Sequence, residues 1–237
     1  MATLKTKQCL NLVTRFINSR TPPFHYKNTR TLQTLAFKEI QSSPNKPDAP
    51  TAFILHGLLG SEWRMVLVDM RNHGKSVDIE GLDPPHNMFN AAMDVANLVK
   101  EKGWEWPDVV IGHSMGGKVA LQFAESCTRE QLWVLDSVPV EVSPEYSDGE
   151  VEKETSYWSL LEHPPKGMEI GLVVAEKSDR WDPDLIQRLE SLSCRTRDES
   201  EGKFSLHVLP NSGHWVHVDN PKRLLEIVTP RMASLST

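Results

Sequence analysis

Ser114 is the residue in this chain best placed to become a nucleophile. It lies in Gly112-His113-Ser114-Met115-Gly116-Gly117, directly after the apolar run Val109-Val110-Ile111 and ahead of a helix-like segment. A serine hydroxyl attacks poorly until a base removes its proton, so it must stand on a sharp turn that a histidine and a substrate can both reach. A strand, Gly-x-Ser-x-Gly and a helix in that order predict such a turn, a nucleophile elbow. Gly112 and Gly116 are expected to give it room, because a side chain at either position would collide with the neighbouring strand or helix. The pentapeptide alone is a weak signal, and its place at a strand end strengthens it.

The elements that must carry this turn alternate between strand-like and helix-like periods, which implies a mostly parallel sheet covered by helices. Thr34 to Ile40 is expected to be an edge strand, and Gln41 to Pro50, rich in Ser, Pro and Asn, a surface loop. Strands are predicted over Ala52 to Leu55, Met65 to Val68, Val109 to Ile111, Leu132 to Leu135, Ile170 to Val174 and Ser205 to Leu209. Phe89, Ala92, Met93, Ala96 and Val99 have the spacing of an amphipathic helix over Met88 to Lys102, stopped by Gly103. A helix should come directly after Ser114, and Leu185, Ile186, Leu189 and Leu192 mark another. Pro221 to Val228 forms the last, with Asn220 as its cap and Pro221 at its first position. There is no internal repeat.

Composition bounds what can surround the serine. The chain has 237 residues, 39% hydrophobic and 24% charged, with seven tryptophans, as expected of one α/β domain of ordinary size. No uninterrupted apolar segment approaches the roughly 20 residues of a membrane span. Cys9, Cys127 and Cys194 are far apart and in no metal-ligand spacing, so they offer neither a disulfide framework nor a zinc site, and a reducing compartment is expected.

The net charge of -6 conceals an asymmetry. Lys5, Lys7, Arg15, Arg20, Lys27, Arg30 and Lys38 all precede the first acidic residue, Glu39. An acid-free leader that also bears the apolar patch Cys9-Leu10, Leu12-Val13 and Phe16-Ile17 reads as an organellar transit peptide over residues 1–30, mitochondrial rather than plastid. Without an address it would be a disordered tail on a cytoplasmic protein. Nucleic-acid binding is the weaker reading, because the rest of the chain carries no basic patch. The fold is then expected over residues 31–237.

Four motifs stand in order at predicted strand ends: His56-Gly57, Asp69-x-Arg71-x-His73-Gly74-x-Ser76, the serine turn, and Asn211-Ser212-Gly213-His214-Trp215-Val216-His217. In this arrangement the chain resembles an α/β-hydrolase. The last motif and the Asp-x-Arg-Asn-His-Gly variant are most similar to the alpha/beta hydrolase domain-containing protein 11 group of serine esterases and to small bacterial esterases. The resemblance runs from about Leu32 to Val228. It implies Ser114 as nucleophile and His214 as general base, in the loop after the last strand. It also implies an oxyanion hole built from the backbone N–H groups of Leu58 and Met115. Arg71 and His73 would brace nearby loops, and His217 would face a neighbouring loop; His214-x-x-His217 is too poor in further ligands for metal.

For the acid, most relatives use Gly-x-x-Asp after a later strand, where this chain has Ala175-Glu176-Lys177-Ser178. The resemblance to the small esterases favours Asp136, which ends the preceding strand. Asp179 and then Asp182 are the rivals, and a loop-capping carboxylate is the plainer role for Asp136.

Two stretches are shorter than the resemblance implies. Only Ser61-Glu62-Trp63-Arg64 separates the oxyanion loop from the next strand, whereas parallel neighbours usually need a crossover of roughly ten to twelve residues with a helix. Its loss should expose strand side chains or force a rearranged pairing. Between Asp136 and Ile170, residues 137–169 form a contracted cap with one helical candidate, Val151 to Leu161, and Glu152-Lys153 reads as a junction. The implied activity is hydrolysis of a small-molecule or lipid-like ester or thioester, without cofactor or metal. A catalytically impaired shortened chain that only binds partners, and an acyltransferase using the same residues, are the alternatives.

Overall fold

Runs of β-branched and aliphatic residues such as Val109-Val110-Ile111 and Leu132-Trp133-Val134-Leu135 have no polar side to turn toward water, so their strands must be covered on both faces. The computed structural model describes residues 35–40, 50–55, 64–127, 130–141 and 155–235. The predicted loop at 41–49, the leader over residues 1–30, Leu58 and the Glu152-Lys153 junction lie outside the described residues.

Among the described residues the strands are β1 (Phe37–Ile40), β2 (Thr51–Leu55), β3 (Arg64–Val68), β4 (Val109–His113), β5 (Gln131–Leu135), β6 (Val140–Glu141), β7 (Thr155–Ser156), β8 (Glu169–Ala175) and β9 (Lys203–Leu209). Among the described residues the helices are α1 (Met88–Glu101), α2 (Met115–Cys127), α3 (Trp158–Glu162), α4 (Pro183–Cys194), α5 (Val216–Asp219) and α6 (Pro221–Ala233). Seven strands form one sheet in the order β1-β3-β2-β4-β5-β8-β9, parallel throughout except for the antiparallel edge strand β1. This is the α/β-hydrolase class of fold expected from the sequence. No helix among the described residues is long and apolar enough to cross a membrane.

Side chains alternate between two cores, as the two-residue strand period requires. Phe53, Val110, Leu132, Val134 and Leu172 pack with Val95, Phe123, Leu160 and Leu189 from α1, α2, α3 and α4. Ala52, Ile54, Val109, Ile111, Trp133 and Leu135 pack with Val216 of α5 and Leu224, Val228 and Met232 of α6. Asn220 caps α6 by accepting a hydrogen bond from the Arg223 N–H at 3.3 Å, with Pro221 in the first position.

Three expectations are corrected. First, the short connection neither rearranges the pairing nor exposes the strand face. β2 and β3 are parallel neighbours with Thr51 opposite Arg64, and Ala52, Ile54 and Met65 are buried in the α6-side core. Leu224, Val228 and Met232 of α6 share that core and keep these strand side chains from water.

Second, Val151 to Leu161 is not one helix. Thr155 and Ser156 pair with Glu141 and Val140 in a two-stranded ribbon, and the helix holds only Trp158–Glu162 before Pro164 and Pro165 end it. Pairing with Val140–Glu141 overrides the local helical pattern. Third, the edge strand starts at Phe37 rather than Thr34; Thr34 lies outside the described residues, and the Ala36 N–H is taken by the Ser76 hydroxyl at 2.9 Å.

Candidate active site

β4 ends at His113, and the chain turns at Ser114 with a φ of 55°, a left-handed conformation uncommon for a residue with a side chain. α2 begins at the next residue, Met115. The turn is pinned because the Ser114 N–H donates to the Leu135 carbonyl of β5 at 3.0 Å. Gly112 makes the close approach possible: a Cβ there would lie 2.1 Å from the Gly116 carbonyl oxygen, a backbone atom that cannot swing aside. Gly117 has the same role against β5, since its Cβ would meet that of Ser137 at 2.6 Å.

A second left-handed residue, Asp136 at φ 45°, ends the adjacent strand β5. The loop after β9 delivers His214. Its Nε2 lies 2.9 Å from Ser114 Oγ, and its Nδ1 lies 2.7 Å from Asp136 Oδ2. The carboxylate accepts at Nδ1, so that nitrogen carries the hydrogen and Nε2 is left to accept from the serine. Three residues separated by up to 100 positions in the chain thus form one hydrogen-bonded line. The rival carboxylates sit elsewhere: Asp182 caps α4 by accepting from the Asp184 N–H at 2.8 Å, and Asp179 is exposed.

Asp136 is buried with its side chain at 0% exposure. Such a carboxylate is costly unless its lone pairs are satisfied, and four donors meet it. Oδ1 accepts from the Ala175 N–H at 3.0 Å and the Trp181 indole at 2.6 Å; Oδ2 accepts from the Ser178 hydroxyl at 2.8 Å and from His214. Neither Trp181 nor the hydroxyl contact of Ser178 is foreshadowed by a motif.

His113, to which the sequence assigns no role of its own, holds the histidine loop. A carbonyl can only accept, so His113 donates from Nε2 to the His214 carbonyl oxygen at 2.7 Å. Burial, the largest influence, lowers its pKa from 6.5 to about 4, and the ring is neutral at pH 7. His217 stands edge-on to His113 at 5.1 Å between ring centres, and Trp215 beside them is exposed. Among the described residues no cluster of His, Cys, Asp or Glu could hold a metal ion.

Of the two expected oxyanion donors, Leu58 lies outside the described residues. Met115 is the first residue of α2, where helix geometry leaves an N–H with no carbonyl of its own helix to meet. Arg71 ties its own turn to α1 and to the loop before it: its guanidinium pairs with Asp94 of α1 at 2.6 Å and donates to the Pro85 carbonyl at 2.7 Å. The Arg71 carbonyl oxygen in turn meets His73 Nδ1 at 2.9 Å.

Known proteins share this chain's pattern at both sequence and fold level. The family model described as alpha/beta hydrolase fold matches residues 45–127. The chain is 24% identical to mouse sn-1-specific diacylglycerol lipase ABHD11 over 254 aligned positions, covering 78% of this chain and 81% of the relative. It is 23% identical to Esterase YbfF of Escherichia coli strain K12, covering 79% and 95%. Both alignments are longer than this chain, so the relatives carry residues that it lacks. Among solved structures, a thermophilic esterase from Thermogutta terrifontis superposes with a TM-score of 0.60 at 18% identity, covering 86% of this chain and 94% of that one. A marine microorganism esterase gives 0.58 at 18% identity, covering 83% and 98%.

Proposed function

The chain belongs to the α/β-hydrolase superfamily, and from that premise we propose that it is a serine hydrolase cleaving carboxylic ester or thioester bonds through an acyl-enzyme. The observation that carries this reading is the unbroken line from Ser114 Oγ through His214 to Asp136, with contacts of 2.9 and 2.7 Å.

In the reaction, Ser114 Oγ forms a bond to the acyl carbon while its proton passes to His214 Nε2. Asp136 stabilises the imidazolium and keeps it turned toward the serine. The carbonyl oxygen, now negative, is met by the Met115 N–H and, in this reading, by the Leu58 N–H. Collapse expels the alcohol or thiol, which takes the proton from His214. Water then attacks the acyl-enzyme, with His214 removing its proton and returning one to Ser114, and the carboxylic acid leaves. No redox change and no further reactant are involved.

The relatives include a diacylglycerol lipase and an esterase, which supports a small-molecule or lipid-like ester as the substrate class. The test is hydrolysis of p-nitrophenyl acetate and p-nitrophenyl octanoate by the full chain and by Ser114→Ala. Release of p-nitrophenol by the wild type that falls at least about 10³-fold in the variant is the expected result. Release that is equal in the two proteins would refute the proposal.

A further inference from the structure

Asp136 is held by more than its histidine. All three of its other donors, Ala175, Ser178 and Trp181, come from β8 and the loop that leads into α4. The same loop is also tied to the segment bearing His214. The Glu176 N–H donates to the Leu209 carbonyl at 3.1 Å, the Lys177 N–H to the Ser212 carbonyl at 2.9 Å, and the Asn211 N–H to the Glu176 carboxylate at 2.7 Å.

One loop therefore fixes both partners of the acid–base contact. Trp181 is fixed in turn by the start of α4 beside it, because Asp182 caps that helix and Pro183 opens it. Its ring also packs against the core on the α1–α4 side.

We infer that Trp181 and Ser178 are positioning residues for the proposed reaction, aiming the Asp136 carboxylate at His214 by occupying Oδ1 and sharing Oδ2. The assignment rests on the serine-hydrolase reading. With both oxygens saturated, the carboxylate has one orientation in which all its bonds are kept, and that orientation presents Oδ2 to Nδ1. Removing the indole N–H leaves a buried anionic oxygen short of a donor, which raises the proton affinity of the Asp136–His214 pair. The other titratable groups facing the pair's loops are His113, neutral at pH 7, His217, Asp219, whose carboxylate accepts from the Gly213 N–H at 2.8 Å, and Glu176, which accepts from the Asn211 N–H.

The test compares Trp181→Phe and Ser178→Ala with wild type and with Trp158→Phe, a tryptophan remote from Asp136 in the hydrogen-bond pattern. Phe keeps an aromatic six-membered ring in the core contact and drops the donor together with the rest of the indole. Trp181→Phe is expected to lower kcat for p-nitrophenyl acetate about tenfold with KM within about twofold. The acid limb of its kcat/KM profile should move about half a pH unit upward. Ser178→Ala should act in the same direction and more weakly.

The second readout needs no turnover: the far-downfield proton resonance of His214 Nδ1 in the NMR spectrum. It should move in Trp181→Phe and stay in Trp158→Phe. An unmoved resonance in folded Trp181→Phe overturns the inference, as does an unmoved acid limb in an active enzyme. A wild type without Ser114-dependent hydrolysis refutes the hydrolase reading instead, and the resonance still decides whether the clamp on Asp136 exists.

Discussion

The two halves of the sheet are built for different ends. β4, β5, β8 and β9 carry Ser114, Asp136, the carboxylate donors and His214 at or just beyond their C-terminal ends. β1, β3 and β2 give no side chain to that line among the described residues. Their motif, Asp69 to Ser76, is spent on cross-links: the Ser76 hydroxyl donates to the Asp69 carbonyl at 2.7 Å and accepts from Ala36, while Arg71 reaches Asp94 on α1. At the edge, Arg64 pairs with Glu39 at 2.6 Å and lies over the Trp104 ring at 4.4 Å. A motif at a strand end can therefore be mechanical in one half and chemical in the other.

If the halves divide in this way, substitutions should separate activity from stability. The largest effect is expected from Asp136→Asn, which leaves the shape of the site but favours the wrong histidine tautomer. Hydrolysis of p-nitrophenyl acetate should fall about 10³- to 10⁴-fold with KM little changed. A loss below about tenfold would break the assignment of the acid.

In the other half, Arg71→Met strands the Asp94 carboxylate, whose pKa is already raised by burial despite the opposing guanidinium. Leaving a buried charge without its partner costs about 3 kcal/mol, read as a lower urea midpoint. The variant should keep kcat within about threefold under conditions where it is folded. A loss of kcat comparable to that of Asp136→Asn would erase the distinction between the halves.

The smallest effect concerns His113, which joins the chemical half to the histidine loop. Its pKa is lowered by burial to about 4, so on acidification the unfolded chain takes up a proton that the fold refuses. Stability present above pH 6.5 is lost as pH falls toward 4, amounting to about 2 kcal/mol between pH 7 and 5. His113→Gln removes that titration, so thermal midpoints should decline less steeply from about pH 7 to 5 than in wild type. Equal slopes would show that the ring protonates as freely in the fold as in the unfolded chain.

How legible each feature was in the sequence depends on how local its signal is. The serine turn could be read because a strand, two glycines and a helix are contiguous there, and the parallel order because apolar runs alternate with 3.6-residue periods. The partner of His214 could not be read from local pattern. Asp136, Asp179 and Asp182 all lie at plausible strand or loop ends, and the contact spans 78 positions.

Trp181 and His113 were silent for the same reason. Their hydrogen bonds cross 45 and 101 positions, and the motif that contains His113 marks the serine beside it rather than the ring. The short connection misled because the β2–β3 register and the cover that α6 gives to Ala52, Ile54 and Met65 are set by residues distant in the chain, not by the connection itself. The helical pattern over Val151 to Leu161 misled because its middle found a strand partner in Val140–Glu141.

The most direct test of the central claim is treatment of the full chain with a fluorophosphonate, then intact mass and peptide mapping. The reagent bonds only to a serine whose proton is being drawn off, expelling fluoride. One adduct per chain on Ser114, absent in Ser114→Ala and formed much more slowly in Asp136→Asn, is the predicted result. Wild-type protein that unfolds cooperatively yet takes up no adduct, or carries it on another residue, would contradict the account.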